Sequence, residues 1–146
     1  MFKTPTVPAF ILAVALGLPL LAAIPARVSA HGDAAPQPVD TTGLQPLGDD
    51  IRATNPYEGN KVAIEIGAHG YNTNCARCHG LDAKSGGMAP DLREVEAGES
   101  GDGWFITRVL HGAKKDDRFR MPPFEGILSQ EAIWAIRTYV ENQPKD

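Results

Sequence analysis

The chain is poor in cysteine and has no apolar run long enough to cross a membrane comfortably. Two cysteines cannot complete a structural zinc site, which needs a second ligand pair, and no βαβ pattern accompanies them as in thioredoxin-like proteins. Its 14 basic residues are outnumbered by 18 acidic ones, which argues against nucleic acid as a partner. Paired carboxylates, a nucleophile with its base and a phosphate-binding glycine loop are all missing. The sequence therefore predicts a small protein that is not an enzyme.

The two cysteines belong to one pentapeptide, Cys75-Ala76-Arg77-Cys78-His79. Its C-x-x-C-H spacing is typical of covalent haem attachment. Two thiols three positions apart on a tight turn can each add to one haem vinyl group, and the next residue places an imidazole beneath the iron. We therefore expect one haem c, with thioether bonds from Cys75 and Cys78 and with His79 as the proximal ligand. No disulfide can form once both thiols are used.

An export signal is predicted at the N-terminus. Lys3 is followed by an apolar stretch over residues 9–24, which is short and is interrupted by Pro19. Small residues end this region at Ala30. We expect cleavage after Ala30 and a periplasmic protein with no membrane span in its mature form. An uncleaved N-terminal anchor is the alternative interpretation.

Three segments are predicted: a signal peptide over residues 1–30, an extended arm over residues 31–55 and one monohaem domain over residues 56–146. The arm is rich in Pro, Gly, Asp and Thr and has no apolar periodicity. So small a domain builds only a marginal core, and a buried haem would supply apolar volume. We expect the haem-free chain to be largely unfolded, because cofactor binding and folding are then coupled.

Amphipathic helices are predicted near both ends of the haem domain. The first covers residues 60 to about 71, and the second covers residues 131–141 after a capping Ser129. Gly67, eight positions before Cys75, permits the close approach of another helix. The two helices are therefore expected to cross at this glycine.

These offsets resemble the class I cytochrome c family. In that family a glycine and an aromatic residue, here Gly67 and Tyr71, cross a C-terminal helix with an aliphatic and an aromatic residue three apart, here Ile136 and Tyr139. The resemblance implies an all-α fold of about three to four helices around one covalent haem. It also implies that the carbonyl of Pro90, in the glycine-rich loop after His79, accepts the proximal imidazole N–H.

A third helix is predicted between this loop and the C-terminal helix. Asp102 can cap its start, its body runs to Leu110, and Gly112 marks its end. We expect its apolar residues Trp104, Ile106 and Leu110 to pack against the haem as core.

Met121 is the predicted sixth iron ligand. It precedes two prolines, which keep the segment extended and stiff. The class I cytochrome c family, which this chain resembles, carries its axial Met in such a segment. Met88 is the rival thioether, assigned here to packing or contact with the haem edge. Three histidines are further candidates: His31, His69 and His111.

A His/Met pair disfavours oxygen binding and raises the reduction potential relative to bis-His ligation. The predicted function is therefore periplasmic electron transfer between proteins. A basic cluster, defined as Lys114, Lys115, Arg118 and Arg120, lies close to Met121 in the sequence. We expect it either to steer docking onto an acidic partner or simply to serve solubility.

Residues 55–60, 86–92 and 120–124 further resemble cytochrome cL and its relatives. That resemblance implies a donor that is an alcohol dehydrogenase dependent on pyrroloquinoline quinone (PQQ), and a terminal oxidase or another cytochrome as acceptor. The alternatives are a general donor to an oxidase or peroxidase, a subunit of an enzyme complex, and a ligand-binding haem protein if Met121 does not bind iron. Shuttling between partners favours a monomer.

Overall fold

The computed structural model describes Met1 and residues 35–145. The chain divides into two units, Met1–His31 and Gly32–Asp146, and the fold reported below is that of the second. The predicted signal peptide, apart from Met1, and His31 lie outside the described residues. Within the described part, no helix is long and apolar enough to span a membrane.

The described fold is mainly helical, as predicted. Helix α1 covers Lys61–Asn74, α2 is the single turn Ala76–His79, α3 covers Glu99–His111 and α4 covers Gln130–Glu141. Short 3-10 turns occupy Leu81–Ala83 and Leu92–Glu94. Two strands, β1 at Ala113–Lys115 and β2 at Arg118–Met121, pair antiparallel.

Helices α1 and α4 begin where their capping side chains lie. The side-chain oxygen of Asn60 accepts hydrogen bonds from the backbone N–H groups of Val62 and Ala63, and Ser129 accepts one from Ala132. Each cap satisfies donors that the first helical turn leaves free. Helix α1 continues past the predicted end near residue 71, because the backbone N–H of Cys75 bonds to the carbonyl of Tyr71 and closes one further turn.

The predicted crossing of α1 and α4 is present. A Cβ atom at Gly67 would overlap the carbonyl oxygen of Ala135, and the rings of Tyr71 and Tyr139 lie 5.2 Å apart. Ile136 packs on Gly70, three residues after Gly67, since its side chain lies 3.1 Å from a Cβ built at Gly70. The two helices thus meet backbone to backbone at Gly67.

The predicted start of α3 is wrong. The helix begins at Glu99, and Asp102 is not its cap but lies buried in the first turn. One oxygen of the Asp102 carboxylate accepts a hydrogen bond from Arg137 Nε at 2.9 Å, and the other accepts one from the backbone N–H of Asn55 at 2.8 Å. The Asp102 carboxylate therefore belongs to a tertiary ion pair with Arg137, which the local sequence pattern does not reveal. The end of α3 at Gly112 is as predicted.

The hairpin of β1 and β2 was not predicted. Its turn is formed by Asp116 and Asp117, whose φ angles of 51° and 58° are tolerated better by Asp than by most residues. The basic cluster lies on its two exposed strands. The segment before Pro122 is extended, as expected.

Residues 35–55 contain no helix or strand. They lie along α4, where Gln130 and Glu131 bind backbone groups of the arm, the N–H of Arg52 to Gln130 Oε1 and the N–H of Leu47 to Glu131 Oε1. Leu44 is buried in the core. This part of the arm is therefore built into the haem domain.

Candidate haem site

The C-x-x-C-H pentapeptide forms a single helical turn directly after α1. The backbone N–H groups of Cys78 and His79 both bond to the carbonyl of Cys75, at 3.1 and 2.9 Å. Tyr71 supports the turn from α1, since its hydroxyl donates to the carbonyl of Gly80 at 2.7 Å. The turn places both thiols and the imidazole beside one cavity.

This haem cavity has a volume of about 310 Å³. The residues that bear the predicted thioethers and axial ligands all line it, together with Pro90. Its walls are mostly apolar and come from the loop after His79, from α3 and from the end of the hairpin. The other lining residues are Asn74, Met88, Ala89, Leu92, Trp104, Phe105, Arg108, Val109, Ala113, Arg120, Pro122 and Phe124.

The imidazole of His79 is oriented by Pro90. Its Nδ1 lies 2.9 Å from the Pro90 carbonyl oxygen. A carbonyl can only accept a hydrogen bond, so this contact requires the proton on Nδ1 and leaves the Nε2 lone pair free for a metal. Since His79 is only 9% exposed, the ring has little freedom to turn away.

The loop that carries Pro90 is itself held in place. The Asp91 carboxylate accepts hydrogen bonds from the Arg93 guanidinium, at 3.0 and 2.9 Å, and from the Ser85 backbone N–H at 3.1 Å. These bonds, chiefly those from Arg93, keep the pKa of Asp91 well below its usual value. The Ser85 hydroxyl also donates to the carbonyl of Ala89. The position of Pro90 is thus fixed from both sides.

The two cysteines differ in their surroundings. Burial raises the pKa of the Cys75 thiol to about 12, with a smaller contribution from Cys78. Cys78 is exposed. Cys78 is therefore the more accessible thiol of the pair.

Met121 and Met88 both line the haem cavity, but only Met121 is held by secondary structure. Met121 ends β2 and pairs with Ala113, and a Cβ at Gly112 would overlap its carbonyl oxygen. Met88 is 77% exposed. Of the two thioethers, that of Met121 is therefore the one held in place at the cavity.

The described histidines other than His79 do not line the cavity. His69 and His111 are both exposed, and the Nδ1 atom of His111 lies 3.8 Å from Glu125. In the described part of the chain, no group of three or more His, Cys, Asp and Glu side chains could hold a separate metal ion.

Two arginines lie in the cavity wall: Arg108 was not predicted as a site residue, and Arg120 was predicted only as part of the basic cluster. Arg108 lies on α3 with its guanidinium 5.3 Å from the ring centre of Trp104, and it donates to the carbonyl of Gly112 at 3.3 Å. Arg120 is the one member of the basic cluster among the lining residues. Trp104 is 45% exposed, so it forms part of the cavity wall and not of the closed core. The four-residue spacing of Trp104 and Arg108 on one helix face was the available signal.

These residues fit a covalently attached haem. Two thiols and an imidazole with the correct tautomer lie at one cavity, and the thioether of Met121 reaches it from another element. The apolar walls suit a macrocycle, and Arg108 and Arg120 are cations that could bind its two propionates.

Comparison with known proteins gives matches over this region. The family described as cytochrome c oxidase, cbb3-type, subunit III matches residues 62–140. Cytochrome c550 of Pseudomonas aeruginosa is 56% identical over 117 residues, which cover 77% of this chain and 81% of that protein. This similarity spans most of both chains.

Two further relatives are similar over a smaller part of their length. The quinohemoprotein alcohol dehydrogenase ADH IIB of Pseudomonas putida is 33% identical over 89 residues, 61% of this chain but 12% of that protein. The cbb3-type cytochrome c oxidase subunit FixP of Rhizobium etli is 33% identical over 95 residues, 59% of this chain and 33% of that protein. No solved structure matches the chain.

Proposed function

The chain belongs to the cytochrome c family, and from that premise we propose that it carries single electrons in the periplasm from a PQQ-dependent alcohol dehydrogenase towards a terminal oxidase or another cytochrome. Membership of the family makes it an electron-transfer protein with covalently bound haem c, and not an enzyme. The haem supplies one-electron exchange between ferric and ferrous iron. The donor, the compartment and the individual site residues are the proposed part.

The chain's own residues hold and insulate the redox centre in this proposal. Cys75 and Cys78 would hold the haem covalently, and His79 and Met121 would bind its iron. Pro90 fixes the His79 ring through the contact of 2.9 Å between its carbonyl oxygen and Nδ1. This contact, in a cavity that Met121 also lines, is the observation that carries the proposal, because an iron bound by both His79 and Met121 would have no open position for oxygen and would favour electron transfer.

The proposed donor rests on the relatives. Proteins named quinohemoprotein alcohol dehydrogenases contain a segment similar to this chain. Such a segment, when joined to a dehydrogenase, is well placed to receive its electrons. A separate chain of the same kind can serve a dehydrogenase that lacks it.

The basic cluster is the proposed docking surface for this donor. Its four side chains are exposed on the hairpin, and the hairpin contributes Arg120 to the cavity wall. Phe119, which is 49% exposed with the ammonium of Lys114 4.6 Å from its ring centre, adds an apolar contact on the same hairpin. An acidic dehydrogenase surface would be steered to this side of the molecule.

Stopped-flow mixing of the oxidised holoprotein with a quinoprotein alcohol dehydrogenase from the same periplasm tests the donor. We expect rapid haem reduction that requires alcohol and saturates with dehydrogenase. Reduction that is absent, or independent of alcohol, would contradict the proposed donor.

A charge-reversed variant tests the docking surface in the same assay. Lys114→Glu with Lys115→Glu should slow association about tenfold at low ionic strength, with the difference shrinking as salt is added. The matched control is Lys61→Glu with Lys145→Glu, two exposed lysines outside the hairpin. Equal rates for both double variants would show that only net charge matters.

A second candidate is a general electron donor to an oxidase with no link to alcohol oxidation. The match to the cbb3-type oxidase subunit family and to FixP favours it. It predicts rapid oxidation of the reduced protein by an oxidase-containing membrane fraction, together with no alcohol-dependent reduction in the assay above.

A further inference from the structure

A groove on the surface next to the haem cavity is the feature with no role so far. It has a volume of about 380 Å³ and lies between the loop at residues 90–96 and the start of α3. We propose that this groove is a second electron-transfer surface, which docks a positively charged segment of the electron acceptor. The inference rests on the proposed carrier function and adds that donor and acceptor use different faces. The groove, called here the acidic groove, is lined by Pro90, Asp91, Glu94, Val95, Glu96, Ser100, Gly101 and Trp104.

The acidic groove shares two residues with the haem cavity. Trp104 and Pro90 line both, and Pro90 is exposed in the groove while its carbonyl oxygen contacts His79 Nδ1 at 2.9 Å. A partner seated against Pro90 is therefore separated from the proximal ligand by one residue and one hydrogen bond. This gives the groove a direct connection to the redox centre that does not pass through the basic cluster.

The charge of the groove is opposite to that of the hairpin. Among the described residues, no lysine or arginine lines the groove, whereas Arg108 and Arg120 line the haem cavity. The Asp91 carboxylate is bound by Arg93, so Glu94 and Glu96 supply the net negative charge. A cationic segment is thus attracted to the groove and repelled by the hairpin.

The apolar part of the groove indicates which cationic side chains would bind there. Val95 and Trp104 offer apolar surface beside the two glutamates. Lysine and arginine side chains combine an aliphatic stem with a charged head and suit such a surface. The positive end of the α3 dipole does not reverse this preference, because the carboxylate of Glu99 lies in its first turn.

The wall of the groove is preformed. The buried guanidinium of Arg137 donates to the carbonyl of Glu96 and to Asp102, and thereby ties the loop to α3. Gly101 packs so closely on this loop that a Cβ would overlap the Glu96 carbonyl oxygen. A partner would therefore meet an ordered surface and lose little entropy in arranging it.

Charged inorganic oxidants test the proposal without any protein partner. Reduced holoprotein is mixed with cationic tris(phenanthroline)cobalt(III) or with anionic ferricyanide in a stopped-flow instrument, and the loss of one electron per protein is followed. The groove variant is Glu94→Gln with Glu96→Gln. The matched control, which removes the same charge elsewhere, is Asp49→Asn with Asp50→Asn in the exposed part of the arm.

We expect the groove variant to react about fivefold more slowly with the cobalt complex at low ionic strength, and the arm variant to change little. Ferricyanide should show no such loss for the groove variant. Ser100→Lys, which places a cation in the groove, should slow the cobalt reaction as well. Equal rates for the groove and arm variants, or no effect of Ser100→Lys, would overturn the proposal. Because no dehydrogenase is present in this assay, a negative result would refute the acidic groove as a docking surface without bearing on the proposed donor.

Discussion

The two sides of the haem domain are stabilised in different ways. On one side, α1 and α4 pack through Gly67 and Ala135, and ten residues of α4 are buried by protein alone. On the other side, the loop after His79, α3 and the hairpin surround a cavity whose apolar walls lack protein partners. The first side is packed by protein alone, while the second side requires a buried cofactor to complete its core.

Preventing haem attachment should have the largest effect on stability, because it removes the cofactor that the cavity side needs. In a Cys75→Ala, Cys78→Ala variant the cavity walls have nothing to bury them, and the small α1–α4 core cannot hold the fold alone. We expect circular dichroism to show loss of most helical signal. Any residual protection from hydrogen exchange should lie in α1 and α4. Full protection of α3 from hydrogen exchange in this variant would contradict the proposed difference between the α1–α4 side and the cavity side.

Asp102→Asn should have the next largest effect, because it removes the partner of a buried charge. Arg137 is fully buried, and Asp102 joins it to α3 and to the arm. Loss of one partner of such a pair costs about 3 kcal/mol of unfolding free energy. Glu141→Gln is the control, since Glu141 also contacts Arg137 but is 19% exposed. Denaturant unfolding of the holoprotein measures the free energy of unfolding of both variants. Equal losses would mean that the buried Asp102 stabilises the protein no more than the partly exposed Glu141.

Gly67→Ala tests the side that needs no cofactor. The added methyl group would overlap the Ala135 carbonyl oxygen and force the helices apart. We expect a loss of about 2 kcal/mol in unfolding free energy. Gly103→Ala in α3 is the matched control, since its Cβ meets no atom within 4 Å. That change should stabilise the protein by about 1 kcal/mol through helix propensity. A neutral effect at Gly67 would refute the close crossing.

Substitution of Tyr71 should have the smallest effect on stability, and this effect depends on pH. Burial is the main cause that raises the pKa of Tyr71 above its ordinary value of 10.0. The phenol thus stays protonated in the folded protein and ionises on unfolding, so stability is present below about pH 10 and is lost as the pH rises above it. Tyr71→Phe should flatten this alkaline decline and, at pH 7, cost about 1 kcal/mol for the lost bond to Gly80. An unchanged alkaline slope would show that other groups cause it.

The same comparison explains what could be predicted from the sequence. The haem motif is local, so its five consecutive residues indicate the chemistry directly, and the offsets of Gly67 and Tyr71 predict the helix crossing. Asp102 was misread as a cap because its partner, Arg137, lies 35 residues away. Local patterns favour capping for any Asp near a helix start.

The hairpin and the acidic groove show the limits on the cavity side. Strands of three and four residues are too short for a clear alternating pattern, and two consecutive aspartates are typical of any turn or loop. Arg108 was not assigned to the site because its role depends on the surface that α3 presents to the cavity. The groove arises from the packing of two segments, which no sequence pattern describes.

Carbon monoxide binding to the ferrous protein tests the central claim most directly, because it reports whether both axial positions are filled. The account predicts that the native protein binds carbon monoxide poorly, that Met88→Leu behaves in the same way, and that Met121→Ala binds it readily, as followed by visible absorption. Ready binding by the native protein would contradict the assignment of Met121 and the electron-carrier site built on it.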